Sequence, residues 1–389
     1  MNRLRLLNTY LFLSVFLILL SVLYLFPILK PFPEPSGPFQ VGTQAFKIVD
    51  QQRDEPYAPG CDGKRSVMVR FWYPAAVQTD ERLQYVAGKM PILQQLYAAL
   101  YSIPLWISAL LWRNIITHSY VNAPLSRSKE HFPIILFSHG LFGLPSDMYV
   151  SLIENIASNG YFIVGIDHPY FNIITQYPDG SVVSSNELSA KFQKMRPHEQ
   201  RAFQANAINE YIRDMKLVIS ELEKLNQDKE STVYQRLDLT RIGVVGHSAG
   251  GTAAIEFCRN SQMCKVAIDL DGWYDHVIRA EPLRKPLLLL FASESLDVGE
   301  PTPEYLQRKE ITRDEYFEQK KRTEEHIKSL CSASECFLVL LDHTSHEDFS
   351  DAVLAKWPMR RWYAQNSYKV LESINSRIVD FLQKYLIAK

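Results

Sequence analysis

The chain has 389 residues, 47% of them hydrophobic, and a formal net charge of −1. That is enough apolar material for one large core or two small ones. Acids and bases are mixed along the chain, so no basic stripe exists to neutralise a phosphate backbone, and nucleic acid is excluded as a partner.

Arg3 and Arg5 precede an apolar run from Leu11 to Leu29, broken only by Ser14, Ser21, Tyr24 and Pro27. About 20 apolar residues suffice to cross a bilayer as a helix. The run is followed by Lys30 rather than by a small-x-small cleavage site. It therefore predicts an uncleaved signal anchor over residues 1–30, a transmembrane segment that ties the chain to a membrane. The arginines place the folded domain on the non-cytosolic side. Cleavage and secretion is the alternative. Residues 31–38 (PFPEPSGP) read as a stiff proline-rich linker, and residues 39–389 as the folded domain.

Ser66–Tyr73 (SVMVRFWY) alternates and is rich in β-formers, so it reads as an early strand. Residues 94–116 are apolar and aromatic but interrupted. They read as a buried helix pair, or as a lid or interfacial insertion suited to a lipid substrate. From Pro133 the pattern is regular. Strands are expected at Pro133–Ser138, Tyr161–Asp167, Arg241–Gly246, Lys265–Asp269, Pro286–Phe291 and Cys336–Leu341. Helices are expected at Ser146–Ser158, Pro197–Leu225, Ala249–Cys258, Thr302–Leu330 and Tyr368–Ile387. Short continuous apolar strands alternating with helices predict an α/β fold: a doubly wound, mostly parallel sheet covered on both faces. Of the five cysteines, Cys331 and Cys336 are close enough to pair if the domain is exported. No CxxC occurs, and no zinc-ribbon reading follows.

The sharpest chemical signal is Gly246-His247-Ser248-Ala249-Gly250-Gly251, set between an apolar strand and a helix of small residues. A G-x-S-x-G at a strand-to-helix turn projects its serine above the sheet, at a helix N-terminus that favours negative charge. Ser248 is thus the candidate nucleophile. Its hydroxyl is too weakly acidic to attack an ester unaided and needs a histidine base. His343 and His346 stand after the last strand, and His346, further out on the loop, is preferred. The pair could also be read as metal ligands, but no third ligand follows at metal spacing, so no metal is expected. The acid that orients the base is contested between Asp271 and the pair Glu294 and Asp297, with Asp269 read as structural. Leu141, in the loop Phe137-Ser138-His139-Gly140-Leu141, and Ala249 are the candidate oxyanion N–H donors. His139 reads as a support beneath that loop.

At this point the chain resembles the platelet-activating factor acetylhydrolases of the plasma and type II kind. The carrying segments are RFWYPA at Arg70–Ala75, NAPLS at Asn122–Ser126, FSHGL at Phe137–Leu141, GHSAGG at Gly246–Gly251, LDGW at Leu270–Trp273 and SHEDFSD at Ser345–Asp351. The resemblance implies an α/β-hydrolase fold and a calcium-independent phospholipase activity that releases short or oxidised acyl groups from a lipid ester. It implies no cofactor. It selects Asp271 as the acid and matches Ser248 to the nucleophile, His346 to the base, and Leu141 and Ala249 to the oxyanion donors. Phe142 and Trp273 are the candidate substrate-contacting residues. A broader carboxylesterase, lipase or polyester hydrolase, and a non-catalytic tethered binding protein on the same fold, are the competing expectations.

Overall fold

The structure, a computed structural model, describes residues 9–19 and 32–387 apart from 59, 61–62, 77–79, 86–93, 95–103, 107, 109–114, 273–280, 297–298, 304–305, 308–310 and 356–360. Its strands are β1 (Gln40–Asp54), β2 (Lys64–Ala75), β3 (Arg82–Gln84), β4 (Ile116–Val121), β5 (Phe132–Ser138), β6 (Phe162–Asp167), β7 (Ile174–Gln176), β8 (Val182–Ser184), β9 (Leu237–His247), β10 (Cys264–Leu270), β11 (Leu287–Ala292) and β12 (Cys336–Leu341). The main helices are α1 (Val150–Ser158), α2 (Asn186–Gln193), α3 (Pro197–Gln227), α4 (Ala249–Asn260), α5 (Arg313–Leu330) and α6 (Arg361–Leu382).

Ten strands form one sheet in the order β12-β11-β10-β9-β5-β6-β2-β1-β4-β3. The run from β6 to β12 is parallel. β2 pairs antiparallel with both β6 and β1. The central strands read FPIILFS, FIVGID and CKVAIDL and are almost wholly buried, as strands covered on both faces must be. One face packs Phe71, Leu136, Val244 and Leu289 against α3, α4 and α5. The other packs Trp72, Ile135, Val245 and Leu290 against α1 and α6. This is the doubly wound, mostly parallel architecture expected from the alternation of elements.

Several expectations need correcting. β1 is long, but its sequence QVGTQAFKIVDQQRD carries too many polar residues to announce a strand. The helical stretch expected from Thr302 is interrupted: residues 303, 306 and 307 are helical, and α5 begins at Arg313. Thr312 caps it, accepting from the Glu315 N–H at 3.2 Å while Glu315 reaches back to the Thr312 N–H at 2.7 Å. Residues 32–38, read as a stiff linker, lie against the domain. Phe32 is buried with its ring 4.8 Å from that of Tyr85. Ser36 N donates to Asn155 Oδ1 at 2.9 Å and Gly37 N to Ser158 Oγ at 3.0 Å, so the segment is strapped along α1.

Residues 9–19 are helical and exposed. Among the described residues no helix is long and apolar enough to cross a membrane. The rest of the expected anchor lies outside the described residues, as does most of the stretch 94–116. Within that stretch Leu105 and Trp106 are exposed, and Ser108 Oγ donates to Gln94 O at 2.7 Å. Cys331 and Cys336 form a disulfide, and a second joins Cys258 at the end of α4 to Cys264 at the start of β10. Cys61 lies outside the described residues.

Candidate active site

The parallel strands end along one edge of the sheet, and the candidate residues gather there. β9 runs through His247, and α4 begins at Ala249. Ser248 carries the whole change of direction, at φ 56° and ψ −120°. This left-handed backbone is costly for a residue with a Cβ, on the order of 1–3 kcal/mol, and persists because its surroundings enforce it. Ser248 N donates to Leu270 O at 2.8 Å, which ties the turn to β10. A Cβ at position 250 would come within 2.2 Å of the Ser138 carbonyl oxygen, so only glycine lets α4 start this close to β5.

The loop after β5 comes up to the same serine. A Cβ at Gly140 would stand 3.1 Å from the Ser248 Cβ. Leu141 follows Gly140, and Ala249 follows Ser248. Among the described residues neither of these two backbone N–H groups donates to a protein acceptor. Two unspent donors beside the Ser248 hydroxyl can receive an oxygen that becomes negative. The Gly140–Leu141 peptide is fixed from below. His168 N donates to His139 Nε2 at 2.9 Å, so that nitrogen is bare and Nδ1 carries the proton. Nδ1 then donates to Gly140 O at 2.8 Å, which sets the peptide whose other end is the Leu141 N–H.

Asp271 ends β10 one strand over, also in the left-handed region at φ 60°. Its carboxylate accepts from Ala292 N at 3.0 Å and Ser295 Oγ at 2.5 Å. It also lies 2.6 Å from His346 Nδ1. A carboxylate can only accept, so His346 Nδ1 carries the proton and Nε2 is the unprotonated acceptor. His346 opens a short 3-10 turn after β12, and its ring lies 4.5 Å from that of His247, the neighbour of Ser248. Of the alternatives, His343 stands exposed at the preceding turn and Glu294 is exposed. Asp297 and Trp273 lie outside the described residues. Phe142 sits at φ 53° beside Leu141, held by Phe142 N donating to Phe171 O at 2.6 Å. Its ring packs against Phe192 of α2 and Phe203 of α3, at 5.4 and 5.9 Å.

Sequence reasoning missed the supports. His168 Nε2 lies 3.0 Å from Ser138 Oγ, and its Nδ1 donates to Asp214 at 2.9 Å. Asp214 also takes Arg65 at 2.6 Å and Arg53 at 2.6 Å. Burial would push the Asp214 carboxyl up, but Arg65 and His168 outweigh it and hold it far below the carboxylate range. Burial keeps His168 neutral by lowering its pKa, against the pull of Asp214. No local pattern marks these residues, because they come from four distant segments. Asp351, by contrast, was visible as the last letter of SHEDFSD. It accepts from Val150 N at 2.6 Å and Ser151 N at 3.1 Å, capping α1.

The chain shares 25% identity over 255 residues with a probable 1-alkyl-2-acetylglycerophosphocholine esterase of Arthroderma benhamiae, covering 63% of this chain and 60% of that one. It shares 23% identity over 296 residues with a platelet-activating factor acetylhydrolase of Cavia porcellus, covering 71% and 62%. The matches thus span about three-fifths of the length of these curated relatives. A ferulic acid esterase from Streptomyces cinnamoneus has the same fold, with a TM-score of 0.65 at 23% identity over 92% of this chain and 94% of that one. Residues 28–387 match the description of one family throughout, and the chain belongs to that family: platelet-activating factor acetylhydrolase, isoform II.

Proposed function

We propose that this chain is a serine-dependent carboxylic ester hydrolase acting on phospholipids that carry short or oxidised sn-2 acyl groups. The observation that carries the reading is the 2.6 Å bond from His346 Nδ1 to Asp271, set beside the strained turn of Ser248. Family membership supports the substrate class.

In this reading His346 Nε2 takes the Ser248 proton as Oγ attacks the ester carbonyl. The carbonyl oxygen becomes negative between the N–H groups of Leu141 and Ala249, each worth about 3 kcal/mol in the transition state. Asp271 holds the imidazole in the tautomer that can accept and supports it once charged. The alcohol leaves with the proton from His346. Water then attacks the acyl-serine by the same route and releases the acid. Phe142, with Phe192 and Phe203, lines the approach beside the oxyanion loop. Trp273 is proposed to contact the substrate next to the acid. Residues 1–30 are proposed to tether the domain to a membrane, which alkaline extraction of membranes carrying the full chain and a version lacking those residues would test.

Hydrolysis of a phospholipid panel, with aryl esters alongside, by wild type and Ser248→Ala tests the activity. We expect the substitution to abolish turnover and fluorophosphonate labelling while leaving the folded protein intact. An unlabelled, inactive but folded wild type would favour a binding protein on this fold. Aryl esters preferred over every phospholipid would favour a broad carboxylesterase.

A further inference from the structure

His247 separates Gly246 from the nucleophile position, and the chemistry above makes no use of its ring. The ring is 3% exposed and is bonded at both nitrogens. Nε2 lies 2.9 Å from the backbone carbonyl oxygen of His346, and Nδ1 lies 2.8 Å from the Tyr149 hydroxyl. A carbonyl oxygen only accepts, so Nε2 carries the proton. Burial, followed by the repulsion of His346, drives the pKa of the ring well below that of an ordinary histidine. The ring is therefore neutral, Nδ1 is a bare acceptor, and Tyr149 donates to it. The titratable groups that face it are Tyr149 from the turn before α1, His346 from the loop after β12, and His139 from the loop after β5. Phe349 closes the remaining side, with its ring 5.8 Å away.

The turn that holds Tyr149 also grips the histidine loop further on. Asp351 N donates to Met148 O at 2.8 Å while the Asp351 carboxylate caps Val150 and Ser151. The segment 346–351 is thus fixed at both ends against one short stretch, 148–151. At the far end the clamp is Asp351. At the near end it is the His247 ring, gripping the backbone of the very residue whose side chain bonds Asp271.

We infer that His247, with its tautomer set by the Tyr149 hydroxyl, is a positioning residue that anchors the His346 backbone and so fixes where the His346 imidazole stands over Ser248. The inference rests on the hydrolase reading for its kinetic consequence, but the anchoring itself is a statement about His346 in the folded protein. Glutamine can place an amide N–H where Nε2 stands and still donate to His346 O. Leucine fills similar space and cannot donate.

The test uses the full chain and p-nitrophenyl acetate between pH 5 and 9. We expect His247→Leu to lower kcat by 30- to 100-fold with KM within about two-fold, and His247→Gln to recover to within about five-fold of wild type. In Tyr149→Phe the hydroxyl that fixes the His247 tautomer is gone, so Nε2 need no longer carry the proton, and kcat should fall several-fold with KM unchanged. A purely structural role would not give the glutamine rescue. The downfield proton resonance of His346 Nδ1–H gives a readout independent of turnover. It should broaden or shift in His247→Leu and stay in place in His247→Gln. If His247→Leu folds with kcat within two-fold of wild type and an unchanged resonance, the inference falls. It falls equally if glutamine does no better than leucine. Should His247→Leu not fold, Tyr149→Phe decides, and a kcat and resonance equal to wild type overturn the proposal. A wild type that neither turns over nor takes up a fluorophosphonate would sink the hydrolase reading instead, with the resonance still reporting on the anchor.

Discussion

At the scale of single residues, two buried carboxyls lie two positions apart at the end of β10 and have different partners. Asp271 accepts three hydrogen bonds, from Ala292, Ser295 and His346. Asn at this position would keep the shape but offer an N–H where His346 Nδ1 needs an acceptor. The imidazole would then turn its proton toward Ser248. We expect Asp271→Asn to lower kcat on the order of 10⁴-fold, the cost of the wrong tautomer in a related triad, with the melting temperature little changed. Equal activity of the variant and wild type on the same ester would remove Asp271 from the mechanism. Asp269 faces a different way, into the turn beneath Ser248. A Cβ at Gly251 would come within 1.7 Å of its carboxyl oxygen. Burial, with Asp271 nearby, pushes the Asp269 pKa well up, so the folded protein keeps a proton there that the unfolded chain has released. A group of this kind lowers stability as pH rises above its unfolded value. Asp269→Asn keeps the shape without an ionisable proton. Its advantage in melting temperature over wild type should therefore grow from pH 5 to pH 9, and a constant difference across that range would contradict the assignment.

At the scale of elements, the strand-to-helix turn at Ser248 was legible because everything that defines it is local. An apolar strand, glycine, serine, glycine and a small-residue helix lie within about twenty consecutive positions. The platform under the loop after β5 was not legible, because β2 supplies Arg65, β1 supplies Arg53, the end of β6 supplies His168 and α3 supplies Asp214. Each looks alone like an ordinary surface charge, and only the fold makes them one buried network. β1 escaped notice for a related reason. Its partners on either side are β2 and β4, so pairing rather than alternation establishes it. The network also predicts a stability effect. Removing Asp214 would leave the 1% exposed guanidinium of Arg65 without its main counter-charge, Glu55 being the other at 2.8 Å. Breaking a buried pair from one side costs about 3–5 kcal/mol. Asp214→Ala should lose about that much in urea unfolding, and kcat should fall as well, since His168 loses the partner that orients it beneath Ser138 and His139. A loss under about 1 kcal/mol would show that the pair contributes little to the fold.

At the scale of the whole molecule, the segment from Phe32 to Phe39 decides how the N-terminal region meets the domain. It lies along α1 and is hydrogen-bonded to Asn155, Ser158 and Asn159. The next charged group along that helix is Glu154, which is 1% exposed and faces β4. It accepts from Ser119 Oγ and from His118 N at 3.2 Å, and His118 Nε2 in turn lies 3.2 Å from Phe32 O. One carboxyl therefore joins α1, the edge of the sheet and the N-terminal strap. Burial raises its pKa from 4.5 to about 8, the hydrogen bonds from Ser119 and His118 opposing but not cancelling the shift. The sign follows from proton counts. Between these two values the folded protein holds a proton that the unfolded chain does not, so stability falls as pH rises through the window and levels off above about 8. Asp351, raised by burial to about 7, adds to the same trend. Glutamine at position 154 keeps the acceptor oxygen and has nothing to ionise. Thermal melts from pH 5 to pH 9 should show a declining midpoint for wild type and a shallower decline for Glu154→Gln, with the variant the more stable at pH 9. Limited proteolysis near residue 32 should follow the same ordering, because Phe32 O is joined to Glu154 through His118. Parallel melting curves for the two proteins would mean that Glu154 keeps an ordinary carboxylate pKa in the folded state, and the coupling between the strap and the pH-sensitive core would have to be given up.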